Sequence, residues 1–449
     1  MKFFLLLICS PLLIAAGRVD PGLMQRVARR QVTEAIVEFP SIVEEVVANP
    51  RIKSLSGDDK AAAIVNSLKQ LTAQSQKLIM ERAKTLQLST KSFWGSNIVL
   101  VQGLTETMLA VLGEVEGDFI IREQNVAHIH EDRITEGDEE LVKLNQETQP
   151  QWGVAKIGAP AVWNTTQGEG IIIAYIDTGV YLGHDAIPGD TFAGAWFDPY
   201  YSYMVPDDSR GHGSHCAGIA IGRANGISVS PAAKWIACRG FSNLGSATES
   251  NLISCGQFIL SATPRAHIVS NSWGGTAGVT WYDSIITAWR AAGMIPIFSV
   301  GDSGSTCRTV TYPGDSENVI TIGASAATDA IAAFSSRGPT LTGNVKPDFV
   351  APGHSIISCG PGPRDPSRYV NKEGSTAAAA HFTGAVALYL SQNRDATYEE
   401  IYEAFKATTV KSPLNNADRN CGLPPGEVED YPNYAFGWGR IDVAAAMGV

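Results

Sequence analysis

After Trp152 the chain is a succession of short apolar runs broken by glycine-rich turns and helical stretches. Ile171–Ile176, Trp235–Ala237, Ile268–Val269, Ile295–Val300 and Val319–Ile322 are too short for helices and are set apart by segments long enough to be helices. That alternation argues an α/β fold, a mainly parallel, doubly wound sheet with helices on both faces. Composition agrees with a large core. Only 18% of the 449 residues are charged, against about 25% in soluble proteins. The 44 glycines point to tight turns and close backbone approaches. With 34 basic and 45 acidic residues the net charge is −11, the wrong sign for nucleic acid.

The N-terminus has a different texture. Lys2 precedes an apolar run from Phe3 to Ile14, then Ala15, Ala16 and Gly17. That reads as a signal peptide over 1–17, because the run falls short of the roughly 20 residues a spanning helix needs. A secreted, extracellular protein is expected, with no membrane-bound state. Cys9 would leave with the leader, and six cysteines remain: Cys216, Cys238, Cys255, Cys307, Cys359 and Cys421. Six can pair in 15 ways, and Cys216, beside His215, is equally open to being a buried thiol. One glycosylation sequon stands at Asn164.

Residues 18–92 carry Ile64, Leu68, Leu71 and Leu78 at helical spacing and are expected to be helical. Over 94–132 a strand at Asn97–Gln102, a helix at Thr105–Leu112 and strand material at Phe119–Ile129, ending at His130, are expected. Glu131–Pro150 is polar and acidic, a linker and cleavage region. Thr397-Tyr398-Glu399-Glu400 is a capping box that opens a helix through about Ala407.

Three segments could carry chemistry. IIIAYIDTG brings Asp177 to the carboxyl end of a strand, where open α/β sheets keep their sites. DDSRGHGSHCAG sets His212 between two glycines, so a partner can approach closely. A metal reading of His212 with His215 lacks a third ligand nearby, and no metal is expected. GSTAAAAHFTG puts Ser375 and Thr376 at the start of an alanine-rich helix, near the positive end of its dipole. Each segment alone suits a plain turn, cap or buried helix. Together they supply acid, base and hydroxyl in one of the chain orders of convergent triads. Two rivals account for less. Gly301–Gly304 (GDSG) imitates the chymotrypsin-class nucleophile turn, and Asp177-Thr178-Gly179 with Asp302-Ser303-Gly304 imitates paired aspartic-protease turns. Neither explains GHGSHCAG or the 374–384 segment.

From about Trp152 onward the chain resembles the subtilisin family of serine endopeptidases. NSWGG at 271–275, FSSRGP at 334–339, KPDFVAPG at 346–353 and GWGRID at 437–442 carry the likeness further. NSWGG and KWIACRGF resemble the bacillopeptidase F-like branch. Segment 94–132 resembles the family's inhibitory, chaperone-like propeptide. The resemblance implies a small α+β propeptide at 18–140 (helical 18–92, inhibitor-like 94–132) ahead of a peptidase domain at 145–449. It implies Asp177 as orienting acid, His212 as general base, and Ser272, Trp273, Gly274 and Gly275 as a substrate-binding edge, with Trp273 narrowing the pocket. Anchoring the register on His381 and Gly384 puts Thr376 at the nucleophile. Ser375 takes that place only with a one-residue shift, a rotation of about 100°. Asp302 stands where the family presents an asparagine as oxyanion donor, and an ionised carboxylate only accepts. Thr376 and Asp302 together leave open a catalytically impaired pseudoprotease that binds peptides or a protein partner. The expected partners are a peptide or protein substrate and the chain's own propeptide. No cofactor is required. The calcium that stabilises family members has no legible ligand set here, and substrate preference is not legible.

Overall fold

The computed structural model describes residues 17–130, 133–134, 149–361, 365–416, 418–427 and 429–449. The leader up to residue 16 and most of the acidic linker lie outside them. The chain divides into two compact units, Met1–Ile42 with Ser67–Gln124, and Val43–Asn66 with Asn125–Val449.

The first unit holds a five-stranded sheet in the order β1-β5-β2-β4-β3. Its strands are β1 (Arg18–Val19), β2 (Glu34–Glu38), β3 (Ser89–Phe93), β4 (Ile98–Gln102) and β5 (Ile120–Arg122). The helices Pro21–Ala28, Lys77–Thr85 and Glu106–Gly113 contribute Leu23, Val27, Ile79, Ala83, Leu109 and Leu112 to one core with Val37, Val99, Val101 and Ile121. The expected strand at 97–102 and helix at 105–112 are found within a residue. The all-helical reading of 18–92 is corrected. β1, β2 and β3 fall inside it; β2 carries the apolar run Ala35-Ile36-Val37, with β-branched Ile36 and Val37, buried between β4 and β5. The periodicity that suggested helix belongs to Gly57–Ser75 and Lys77–Thr85 only. Even there Leu78 points outward, 54% exposed, and Ile79 is the buried residue.

The strand material at 119–129 is two strands. β5 belongs to the first sheet, and β6 (Val126–Ile129) joins a three-stranded sheet of the second unit, order β11-β6-β13, with β11 (Ser246–Thr248) and β13 (Trp273–Gly274). The main sheet of the second unit has seven parallel strands in the order β16-β15-β14-β12-β8-β10-β9. These are β8 (Ile172–Asp177), β9 (Phe192–Phe197), β10 (Lys234–Arg239), β12 (Ile268–Asn271), β14 (Ile295–Ser299), β15 (Ile320–Ser325) and β16 (Phe349–Pro352). The strand order reverses at β8, which lies between β10 and β12. β17 (Ile356–Cys359), β18 (Tyr369–Glu373) and β7 (Arg133–Ile134) form a separate antiparallel ribbon.

Successive strand residues face opposite ways, and helices cover both sides. Ile173 and Tyr175 join a core with Ala217, Ala220, Ala378 and Phe382, which belong to the helices His212–Ile221 and Ser375–Gln392. On the other side a disulfide ties Cys238 of β10 to Cys255 of the helix Glu249–Ser261. The capping box at Thr397 and its helix Tyr398–Ala407 form as read. Among the described residues no helix is long and apolar enough to cross a membrane.

The fold forms two bridges, Cys238–Cys255 and Cys307–Cys421, rather than any of the 15 full sets of three. Cys216 and Cys359 are buried thiols, and burial pushes the Cys359 thiol far above its ordinary range. A maleimide reagent is therefore expected to leave the folded protein, without residues 1–17, unlabelled, and to label two thiols per chain in guanidinium. Four labelled thiols, counted by mass spectrometry, would contradict one of the bridges.

Candidate active site

β8 is buried from Ile173 onward and carries Asp177 out at its carboxyl end, at the strand-order reversal. Open α/β sheets leave a crevice at that point. The Asp177 carboxylate, 2% exposed, accepts the Thr178 N–H at 2.7 Å and lies 2.6 Å from His212 Nδ1. Facing a carboxylate, Nδ1 carries the proton, so the Nε2 of a neutral imidazole keeps its lone pair.

His212 is the first residue of its helix, and a second buried carboxylate sets the entry turn. Asp208, fully buried, accepts the Gly211 N–H and the Thr178 hydroxyl on Oδ1, and the Ser214 N–H and hydroxyl on Oδ2, each at 2.8 Å. A negative group there also suits the helix dipole. Gly213 must be glycine: a Cβ would lie 2.0 Å from the Gly179 carbonyl oxygen and 3.0 Å from Asp177. Asp208 is a positioning residue that the sequence reading passed over. Its signal was an acidic residue followed three positions later by Gly211 and four later by His212.

Ser375 and Thr376 open the helix Ser375–Gln392, both fully buried. Ser375 is engaged with the 301–302 turn. Its hydroxyl oxygen accepts the Gly301 N–H at 3.2 Å, and its own N–H donates to Asp302 Oδ1 at 2.8 Å. Asp302 thus acts as an acceptor at the N-terminus of an 18-residue helix. Ala377 and Ala380 pack with Cys216 and Ile219, which brings the two helices together.

His215 faces elsewhere, with Nε2 3.2 Å from the Ile356 carbonyl. Among the described residues Asp177, His212 and Cys216 have donor atoms within 4.8 Å of one another. The 2.6 Å hydrogen bond leaves no space for an ion between Asp177 and His212.

Ser272–Gly275 is a sheet edge, and the chain's own β6 lies on it. β6 runs antiparallel to both neighbours, with Ile129 opposite Trp273, His128 opposite Gly274 and Ala127 opposite Ala247. One residue on, the His130 N–H donates to the Ser272 carbonyl at 3.3 Å. The expectation that Trp273 narrows the pocket is corrected: its indole is buried among Phe241, Trp281, Tyr282 and Phe298, and it braces the edge from behind. Gly275 is held by its N–H to the Tyr312 carbonyl at 2.7 Å.

His381, the residue that anchors the register, is buried with Nδ1 2.9 Å from the Ala377 carbonyl, and burial pushes its pKa down to about 4. In the unfolded chain the same imidazole takes a proton near 6.5. Between those values only the unfolded state gains the proton, so stability falls as pH drops from 6.5 toward 4. Replacing His381 by asparagine is expected to flatten that slope by up to about 1.4 kcal/mol per pH unit. Denaturant unfolding at a series of pH values measures it; an unchanged slope would refute the burial argument.

A family model described as the subtilase family matches residues 168–439. The chain is 25% identical to Bacillopeptidase F of Bacillus subtilis over 96% of its own length and 32% of that protein's. It is 33% identical to Serine protease AprX of Bacillus subtilis, over 55% of this chain and 63% of AprX. It is 32% identical to Thermitase of Thermoactinomyces vulgaris, over 55% of this chain and 84% of thermitase. The chain thus spans about a third of Bacillopeptidase F. Among solved structures, fervidolysin from Fervidobacterium pennivorans, a keratinolytic enzyme related to subtilisin, superposes with a TM-score of 0.63 at 18% identity, over 93% of this chain and 61% of that one.

Proposed function

The chain belongs to the subtilase family, and on that premise we propose that it is a secreted serine-type endopeptidase made as a zymogen. The 2.6 Å contact between Asp177 and His212 carries the reading. Asp177 orients the imidazole, and His212 takes the proton from a hydroxyl and later returns it to the leaving amine. Thr376 is the nucleophile. Ser375 is the weaker choice because its hydroxyl oxygen accepts from Gly301. Attack of Thr376 Oγ1 on the peptide carbonyl gives a tetrahedral oxyanion, then an acyl-threonine and a free amine, and water releases the acyl group by the same proton route. The Thr376 N–H, in the first helical turn, is the oxyanion donor this chain supplies. No step calls for a cofactor. Residues 18–140 are the propeptide, and β6 in the 272–275 edge is its inhibitory segment. The leader at 1–17 directs secretion.

A pseudoprotease that binds peptides or a partner is the second reading. It draws on Asp302, which offers the site a carboxylate in place of an amide, and on the β-methyl of Thr376, which restricts χ1 near the attacked carbonyl. The two readings part at the N-terminus of the secreted protein. Self-processing is expected to leave a chain beginning within 131–150, and His212→Ala is expected to abolish it. An unprocessed parent indistinguishable from that variant would favour the pseudoprotease.

Thr376→Ser combined with Asp302→Asn is expected to raise peptide hydrolysis by about 10²-fold or more, since one oxyanion donor is worth roughly 10²–10³ in turnover, as measured on subtilisin. The introduced amide can still accept the Ser375 N–H through its carbonyl oxygen. No gain in kcat would mean the nucleophile is misplaced. Labelling by a sulfonyl fluoride, mapped by mass spectrometry, is expected at Thr376, and a label on Ser375 would reverse the assignment.

A further inference from the structure

The His130 ring enters a pocket assembled from three separate strands and loops. Nδ1 lies 2.7 Å from Ser299 Oγ, at the end of β14, and Nε2 lies 3.0 Å from Thr311 Oγ1. A hydroxyl both donates and accepts, so the pair satisfies both ring nitrogens in either neutral tautomer. Gly274 forms the wall: a Cβ there would stand 2.6 Å from His130 Nε2 and 2.2 Å from Thr311 Oγ1. Thr311 is held in place by the Gly275–Tyr312 bridge beside it.

The course of the chain limits which bond can be cut. β6 ends at Ile129 on the 272–275 edge, and β7 pairs Arg133 with Glu373, three residues before Thr376. The described residues flanking 131–132 thus pair with the 272–275 edge and with β18, the strand that leads into the hydroxyl segment. The Ser272 carbonyl takes the His130 N–H, and Ser299 lies two residues before Gly301, which is bonded to Ser375. His130 is thus the residue whose backbone meets Ser272 and whose side chain enters the pocket.

We propose that the Ser299–Thr311–Gly274 pocket selects histidine on the acyl side of the cleaved bond, and that the chain is cut between His130 and Glu131. This rests on the peptidase reading and adds its specificity. Phenylalanine fills a similar shape but leaves both hydroxyls facing a ring edge with no polar atom. Aliphatic side chains do the same. Substrates would be peptides and unfolded or exposed protein segments with histidine before the cut.

The secreted full-length protein tests this. The new N-terminus is expected at Glu131. His130→Phe is expected to slow its appearance about ten- to a hundred-fold, the cost of leaving buried polar groups unpaired. In a chain also carrying Ser299→Ala and Thr311→Val that disadvantage is expected to vanish. Cleavage at another bond, or equal rates for His130 and His130→Phe in the parent pocket, would overturn the proposal. If no chain is processed, the peptidase reading fails, and the pocket is still read by ring ¹⁵N NMR of His130 in the intact protein. Hydrogen-bonded shifts lost in Ser299→Ala/Thr311→Val support the pocket; solvent-like shifts in the parent overturn it.

Discussion

Close contact between two helices of small residues underlies the site. The helices His212–Ile221 and Ser375–Gln392 share one face of the seven-stranded sheet, with Ala217, Ala220, Ala378 and Ala379 in the common core. Alanine keeps the two backbones near enough for Ala377 and Ala380 to meet Cys216 and Ile219. The imidazole and the hydroxyls stand on the first turns of these helices, so their separation is set by packing. A larger side chain in the 377–380 run would have to displace a helix, because close-packed interiors absorb added volume poorly.

The carboxylates divide the remaining work by environment. Asp177 meets the imidazole, Asp208 ties down the turn ahead of it, and Asp302 meets the backbone of the opposing helix. Each is held by N–H or O–H donors, which compensates for burial. Asp177 and Asp208 are buried and Asp302 half-buried, and all three have assigned partners.

Much of this was legible from residues. The sheet class, Asp177 and His212 were, because each depends on a local pattern: an apolar run ending in Asp, a His between two glycines. The choice between Ser375 and Thr376 was legible only by register, since both are small hydroxyl residues one position apart. Their difference appears in three dimensions, where Ser375 meets Gly301 and Asp302. Disulfide pairing was not legible, since Cys307 and Cys421 are 114 residues apart. Of the strands within 18–92, β2 was missed because a central strand with a buried middle shows no alternation, and β1 and β3 because they are short edge strands among helices. The pocket around His130 was invisible for a related reason: Ser299 and Thr311 are unremarkable in sequence and meet Gly274 only through tertiary structure.

The seating of β6 has a consequence for molecularity. While the chain is continuous, this strand occupies its slot as a tethered ligand, at an effective concentration on the order of millimolar, and dilution does not release it. A cut anywhere between Ile129 and Arg133 turns the same hydrogen bonds into a complex between separate chains. Its occupancy then follows total protein concentration, so dilution would free the edge and crowding would keep it covered.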